Sequence, residues 1–312
     1  MRILIVNERM SKRTGTEIAT RDLAQGLSHR RHEVVVLAEE TGPLAEEVRA
    51  AGVPVTDTIA GIGMFPDVIH FNDLGMAVEV SSAFPAAAAC LQWHRTVPAT
   101  FSIAGTNISV LCGVSPRINE KMAWFGGVDT DGLLNNTVDL TGFRARATPL
   151  PPVPGRWLLV GQQKRGYGLM LKLKWLAMRH GATLDLVGPR FFRRVSNLPE
   201  HTRSYDLVFA SGRCALEAAC SGAGVIVTDY HGVADFLGSG RVKRYYQGNF
   251  SYRLFGSPVT ARSLAAAIAE YDPEQAALAS AWLRTHADLE VGLDRTLALY
   301  RLAIARRAGR LA

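Results

Sequence analysis

The sequence predicts an α/β protein of two domains, each built on a parallel sheet, and three observations predict it. Short apolar runs alternate with helical patterns along the chain. A proline-dense segment, Thr148–Gly155 (TPLPPVPG), interrupts the alternation near the middle, and the alternation then restarts. The order strand, helix, strand indicates parallel strands with helical crossovers. Proline resists both helix and central strand, so the interruption reads as a linker. The domains are expected at 1–148 and 149–312, and 312 residues at about 150 per domain agree with two.

In the first half, Arg2–Val6 is a β-branched run, followed by a polar loop and a helical pattern from about Glu17 to Leu27. Glu33–Leu37 is the next strand, and Gly42-Pro43 opens a helix through Ala50. Val53–Val55, Val68–Phe71, Pro98–Ile103 and Val110–Val114 read as further strands, and Ser115-Pro116 as a helix start. In the second half Trp157–Val160, Thr183–Val187, Asp206–Ala210 and Val225–Thr228 read as strands. Leu169–Arg179 and Arg213–Cys220 read as helices, and three helical stretches close the chain.

Composition excludes several classes. No apolar run approaches the ~18 residues of a membrane helix, and the Ala-rich stretch Ala83–Trp93 is too short. Ile3–Val6 is too short for a signal-peptide core, which leads to an expectation of a cytoplasmic protein. Cys90, Cys112, Cys214 and Cys220 form no CxxC pair and sit in apolar runs, as small buried hydrophobes of a reducing compartment do. The net charge of +7 suits an anionic partner, or simply an Arg- and Ala-rich composition. Aromatic residues do not interleave with the basic ones, so no nucleic-acid partner is expected.

Three loops follow strands and open helices, where backbone N–H groups can receive an anion. Ser11–Glu17 (SKRTGTE) offers Gly15 and Thr16. Gly161–Gly168 (GQQKRGYG) offers Gly161, with Lys164 and Arg165 adding mobile positive charge. Ser211, Gly212 and Arg213 stand between a strand and the helix that carries Glu217. None matches the Walker or GxGxxG pattern, so ATPase and nicotinamide chemistry lack their motif. Together the loops suit a diphosphate. Glu217 sits among Ala215, Leu216, Ala218 and Ala219, where a carboxylate is costly unless satisfied. Two vicinal ribose hydroxyls would satisfy it; so would Arg213 at i−4.

An ordered set of segments carries a resemblance. MRILIV, Gly15-Thr16-Glu17, His32–Val36, Gly42-Pro43-Leu44, Ala51–Val55, Pro66–His70, Gly113-Val114-Ser115 and Asn136–Phe143 come first. Leu158–Gly161, Ala210-Ser211-Gly212 and Glu217–Gly222 complete it. The chain resembles the family-4-type GT-B glycosyltransferases over most of its length. The resemblance implies two Rossmann-like domains with parallel sheets facing across a cleft. It also implies a nucleotide-diphosphate sugar as co-substrate, held mainly by the C-terminal domain, retention of configuration and no catalytic metal or other cofactor. Glu217 then matches the ribose ligand. The sequence departs from the family at Phe209, eight residues before Glu217, where a second glutamate is usual. It departs again at Thr16 for a second glycine, at Gln162 for an arginine, and at Ala104, which this strand reading matches to a histidine.

Glycosyl transfer needs a stabilised leaving diphosphate, for which Lys164, Arg165 and the amides at Ser211-Gly212 are the candidates. His70, Asn72, Asp73 and His94 lie near strand ends of the first half, His70 as a catalytic candidate and the others on the acceptor side. Asp129-Thr130-Asp131 is a DxD in a Gly-rich turn, and Asp229 with His231 lacks a third ligand, so no metal site is expected. The helix Leu297–Leu311 carries Arg301, Arg306, Arg307 and Arg310 beside apolar residues. In the family, the last helix (about 290–312) packs back on the N-terminal domain; the alternative is peripheral contact with an anionic inner membrane face. The expected function is sugar transfer from a nucleotide sugar to a small-molecule, glycan or lipid-linked acceptor. Its alternatives are a sugar-nucleotide epimerase or hydrolase on the same fold, and a degenerate sugar-nucleotide-binding or partner subunit.

Overall fold

The computed structural model describes residues 1–161, 167–188 and 198–311. The chain divides into two compact units, Met1–Thr137 with Leu289–Ala312, and Val138–Asp288.

In unit 1 the elements run β1 (Arg2–Val6), β2 (Arg9–Met10), α1 (Gly15–His29), β3 (Glu33–Leu37), β4 (Glu40–Thr41), α2 (Pro43–Ala50), β5 (Val55–Thr56), β6 (Val68–Phe71), α3 (Ala77–Ala83), β7 (Ala88–Trp93), β8 (Ile108–Gly113), α4 (Pro116–Gly126) and β9 (Gly132–Leu133). A parallel seven-stranded sheet has the order β5-β3-β1-β6-β7-β8-β9. Ile3, Leu4, Ile5 and Val6 are all fully buried. Side chains alternate between the two faces of a strand, so a sheet covered on both sides requires an unbroken apolar run. Ile3 and Ile5 pack with Val34, Val36, Leu23 and Leu27 on one face. Leu4 and Val6 pack with Val35, Leu37, Phe71 and Val80 on the other.

Unit 2 contains β10 (Arg156–Val160), α5 (Tyr167–Arg179), β11 (Thr183–Val187), α6 (Leu198–Thr202), β12 (Leu207–Ala210), α7 (Gly212–Cys220), β13 (Gly224–Asp229), β14 (Gly232–Phe236), α8 (Ser239–Gln247), α9 (Ala261–Ala269) and α10 (Pro273–His286). Its sheet order is β11-β10-β12-β13-β14, parallel except for β14. Leu158, Val208 and Val225 face α7, α8 and α10, and Trp157, Leu159, Phe209 and Ile226 face α5 and α9. The last helix, α11 (Leu289–Leu311), belongs to unit 1.

Several expectations change. Pro98–Ile103 is loop, and the strand before β8 is the Ala-rich Ala88–Trp93. Alanine has low strand propensity, but burial on both faces decides the matter. The division falls at 137/138, eleven residues before the expected 148/149. Val138 donates its N–H to Ala287 O at 2.8 Å, and Phe143 lies in the unit 2 core. The proline segment is packed on unit 2: Trp157 Nε1 donates to Pro154 O at 2.8 Å and Tyr271 OH to Pro151 O at 2.9 Å.

Among the described residues, the apolar stripe of the C-terminal helix is turned inward. Leu293, Leu297, Tyr300 and Ala303 are buried against the unit 1 sheet. Arg306 donates to Ser109 O at 2.6 Å and to Asp131 at 2.5 Å, and Arg307 caps Pro85 O. The expected membrane contact through this helix is therefore corrected: its stripe closes the core of unit 1.

Candidate functional site

Two groups of polar side chains stand at the carboxyl ends of the strands, one in each unit. Such ends collect ligands in open parallel sheets because helix N-termini and loop amides converge there.

In unit 1 the group begins at α1. Thr14 caps the helix, Gly15 and Thr16 form its first two residues, and the buried Glu17 folds the preceding loop onto it. The Glu17 carboxylate accepts the N–H groups of Lys12 and Thr14, both at 2.9 Å. One turn further, Thr20 Oγ1 donates to Thr16 O at 3.0 Å and accepts from Asn72 Nδ2 at 2.9 Å. Asn72 Oδ1 in turn faces His94 Nε2 at 3.0 Å. The amide oxygen can only accept, so His94 donates to it from Nε2. His94 follows the last residue of β7. Ala104, by contrast, lies in a loop.

Asp73 is buried beside this group. It accepts the N–H of Glu8 at 2.7 Å and of Gly75 at 3.1 Å, with Arg95 at 3.7 Å. Burial raises its carboxyl above the usual range, and the two amide bonds oppose that shift. Asn72, Asp73 and His94 are thereby brought together, with Glu8 and Thr20 as members that sequence reasoning missed. Glu8 stands two residues past the end of β1, and that adjacency was the available signal.

His70 is not part of this group. It lies within β6, fully buried on the face covered by α11, with its ring edge-on to Tyr300 at 5.7 Å. Burial lowers its pKa to about 4, so it stays neutral. The expectation of a catalytic His70 is corrected on this ground, since the core of unit 1 surrounds the ring.

In unit 2 the strand ends of β10 and β11 approach closely. Gly161 N–H donates to Val187 O at 2.8 Å. Gly188 has φ +139°, and a Cβ there would stand 1.8 Å from Gly161 O, so only glycine fits. Gln162, Lys164 and Arg165 lie outside the described residues.

At the next strand end, Ser211 caps α7 and Gly212 opens it with φ +59°. Gly212 N–H donates to Phe250 O at 2.7 Å, so that amide is engaged within the fold. Ser211 Oγ donates to Asp229 Oδ2 at 3.2 Å; Asp229 Oδ1 accepts His231 N–H at 2.7 Å and faces His231 Nδ1 at 2.9 Å. Asp229 thus ties the ends of β12 and β13. The His231 ring centre lies 3.8 Å from that of Tyr230, tilted by 34°, and 4.8 Å from that of Tyr252, stacked, a partly exposed aromatic group that no sequence pattern marked.

One turn into α7, Arg213 Nε donates to Glu217 Oε1 at 2.6 Å, and the two side chains are only 6% and 7% exposed. Of the two partners open to Glu217, the structure supplies the i−4 arginine. A lone buried carboxylate would be strongly disfavoured, and this pair is charge-assisted and close. Cys220, at the end of α7, is held as an inert thiol by burial, which pushes its pKa up to about 12. Phe209 is fully buried within β12, with its ring 5.6 Å from that of Trp157. The position eight residues before Glu217 is therefore core in this chain, which leaves Ser211 as the whole connection between β12 and α7.

Asp131 of the DxD is engaged twice, accepting Leu111 N–H at 2.9 Å and Arg306 at 2.5 Å. No group of three metal-ligating side chains occurs among the described residues.

No family model matches the chain, and no curated protein matches it in sequence. Solved structures do match. A glycosyltransferase from Rickettsia africae is similar with TM-score 0.71 and 14% identity, over 97% of this chain and 98% of that one. Anabaena HepE, in complex with UDP and glucose, is similar with TM-score 0.63 and 15% identity, over 96% and 98%. An α-glucosyltransferase in complex with UDP and a DNA 13-mer is similar with TM-score 0.64 and 10% identity, over 96% and 99%. The chain has the GT-B fold of glycosyltransferases. One of these neighbours was crystallised on DNA, so the fold gives no support to the exclusion of nucleic acid drawn from composition.

Proposed function

We propose that this protein transfers a sugar from a nucleotide-diphosphate sugar to an acceptor hydroxyl, with retention and without a metal. The observation that supports the reading most strongly is the whole-chain correspondence of both units with GT-B structures, among them one holding UDP and glucose. Polar groups at the strand ends of each unit fit the division of labour that transfer requires.

In this reading unit 2 takes the donor. Glu217 accepts the ribose hydroxyls, and Ser211 stands beside the diphosphate at the α7 N-terminus. The Tyr230–His231–Tyr252 group offers flat aromatic surface to the nucleobase. Lys164 and Arg165 neutralise the charge that develops on the leaving phosphate, and each well-placed donor lowers the barrier by ~3 kcal/mol. The acceptor oxygen bonds to the anomeric carbon on the face that the diphosphate leaves. The bond from that carbon to the phosphate oxygen breaks, and the acceptor proton passes to the departing phosphate. Unit 1 takes the acceptor, with Asn72 orienting His94 and Gly15-Thr16 presenting the α1 N-terminus. The acceptor is a small molecule, a glycan or a lipid-linked sugar, and the protein works in the cytoplasm. No helix among the described residues is long and apolar enough to cross a membrane.

The test is turnover of labelled nucleotide sugars with an acceptor panel, followed by NMR of the anomeric proton in the product. Retained configuration supports the reading, and inversion refutes the retaining mechanism. A second reading rests on the Gly212 amide and the Glu217 carboxylate being engaged by Phe250 and Arg213. It makes the chain a sugar-nucleotide-binding partner subunit, and donor binding without turnover would favour it. Donor consumption without acceptor would instead favour epimerase or hydrolase chemistry.

A further inference from the structure

Helix α5 carries two apolar faces, and one of them is buried in the unit 2 core. Leu169, Leu173, Leu176 and Ala177 are buried against the unit 2 sheet, beside Trp157 and Phe209. On the other side Tyr167, Leu171, Trp175 and Met178 are 55%, 60%, 45% and 73% exposed. At about 100° per residue these four fall within an arc of about 80°, opposite the buried face, over a length of about 16 Å. Single exposed apolar residues are ordinary on a protein surface. A continuous stripe of four, two of them aromatic, is a patch of roughly 500 Å², the size at which apolar patches are interaction sites.

Charge identifies the occupant. Lys174 flanks the stripe on one side, and Lys172 and Arg179 on the other; α5 contains no carboxylate. The Arg179 guanidinium lies 4.9 Å from the Trp175 ring centre, which sets a cation directly at the stripe's edge. Gly168, Leu171, Lys172 and Trp175 together with Ala261 line an open groove of about 330 Å³ between α5 and α9. A second copy docked symmetrically would set these cations against their own counterparts, with no acid on α5 to receive them. A bilayer with anionic headgroups satisfies both features. Its acyl boundary takes Leu171 and Met178, its interface takes Tyr167 and Trp175, and its phosphates take Lys172, Lys174 and Arg179.

We propose that the outward face of α5 docks this protein on an anionic lipid surface, lying in the plane of the interface. The docking involves none of the residues assigned to donor or acceptor, and its test is independent of turnover. The full chain is floated with vesicles of phosphatidylcholine alone and with vesicles in which about one third of the lipid is phosphatidylglycerol. Binding at least about tenfold stronger to the anionic vesicles is expected, weakening as salt is raised. The double substitution Leu171→Ser, Trp175→Ser lowers that partition at least about tenfold with an unchanged circular dichroism spectrum. Should that variant melt early, Lys174→Gln with Arg179→Gln alters exposed groups only, and it abolishes the preference for anionic vesicles. Absence of vesicle binding in the wild type, or undiminished binding in either folded variant, overturns the proposal. So does a dimer in solution that the Leu171→Ser, Trp175→Ser variant dissociates.

Discussion

Replacing Glu217 tests the observed ion pair with Arg213 apart from the proposed contact with ribose. Its Oε1 receives Arg213 Nε at 2.6 Å, and both side chains are more than nine-tenths buried. Glu217→Ala removes the carboxylate that Arg213 Nε meets, and breaking a buried pair from one side costs about 3–5 kcal/mol. Unit 2 spans Val138–Asp288. For a unit of that size each kcal/mol moves the melting temperature by about 2–4 °C, so a fall of roughly 6–20 °C in its transition is expected. Glu217→Gln keeps the shape and an oxygen for Arg213, and it costs less than the alanine variant. It removes the charge and replaces one acceptor oxygen with an NH2 group, so two ribose hydroxyls can no longer both be accepted. Donor affinity, measured by calorimetry on the folded Gln variant, is expected to fall more than about tenfold, or about 1.4 kcal/mol. An unchanged dissociation constant in Glu217→Gln would remove Glu217 from the donor site and leave it as the structural partner of Arg213. An unchanged melting temperature in Glu217→Ala would refute the claim that the pair holds α7.

Burial holds His70 neutral with a pKa of about 4, below its ordinary value of 6.5. The unfolded chain therefore takes up its proton first, and the stability present above pH 6.5 is lost as pH falls toward 4. The loss amounts to about 3 kcal/mol; urea unfolding across that window should show it, and His70→Phe should flatten the slope. The Tyr300 hydroxyl is buried with no hydrogen-bond partner among the described residues. Tyr300→Phe is expected to stabilise unit 1 by about 1 kcal/mol in the same assay, whereas a loss of that size would reveal a partner for the hydroxyl. Lys164→Ala with Arg165→Ala should reduce turnover far more than binding of the free nucleoside; full turnover would show that this loop does not clamp the leaving group.

Much of the fold was legible because a doubly covered parallel sheet writes itself as unbroken apolar runs. Arg2–Val6, Glu33–Leu37 and Val68–Phe71 are strands over the same residues in sequence and structure, and so is Thr183–Val187 at the edge of the unit 2 sheet. Where burial acted on residues of weak propensity, the pattern misled. Ala88–Trp93 reads in the sequence only as part of an Ala-rich stretch yet is a strand, and Pro98–Ile103 reads as a strand yet is loop. Proline density marked stiffness rather than division: the segment at 148–155 lies on unit 2, and the boundary falls where Val138 bonds Ala287. The Arg213–Glu217 pair was readable because its partners are one helical turn apart. The burial of His70 beneath Tyr300 was not, because the contact joins residues 230 positions apart (300 − 70). The chain of Thr20, Asn72 and His94 likewise exists only once α1, β6 and β7 are assembled.

The central claim, a nucleotide-sugar site in unit 2, is tested most directly by thermal unfolding with UDP, GDP, dTDP, CDP and ADP and their sugars. A ligand at about 100 times its dissociation constant adds ~2.7 kcal/mol, or roughly 5–10 °C for a unit of this size. A rise of that magnitude with one nucleotide and its sugar, lost in Glu217→Gln, is the result the account predicts. A melting temperature unmoved by every nucleotide would contradict it.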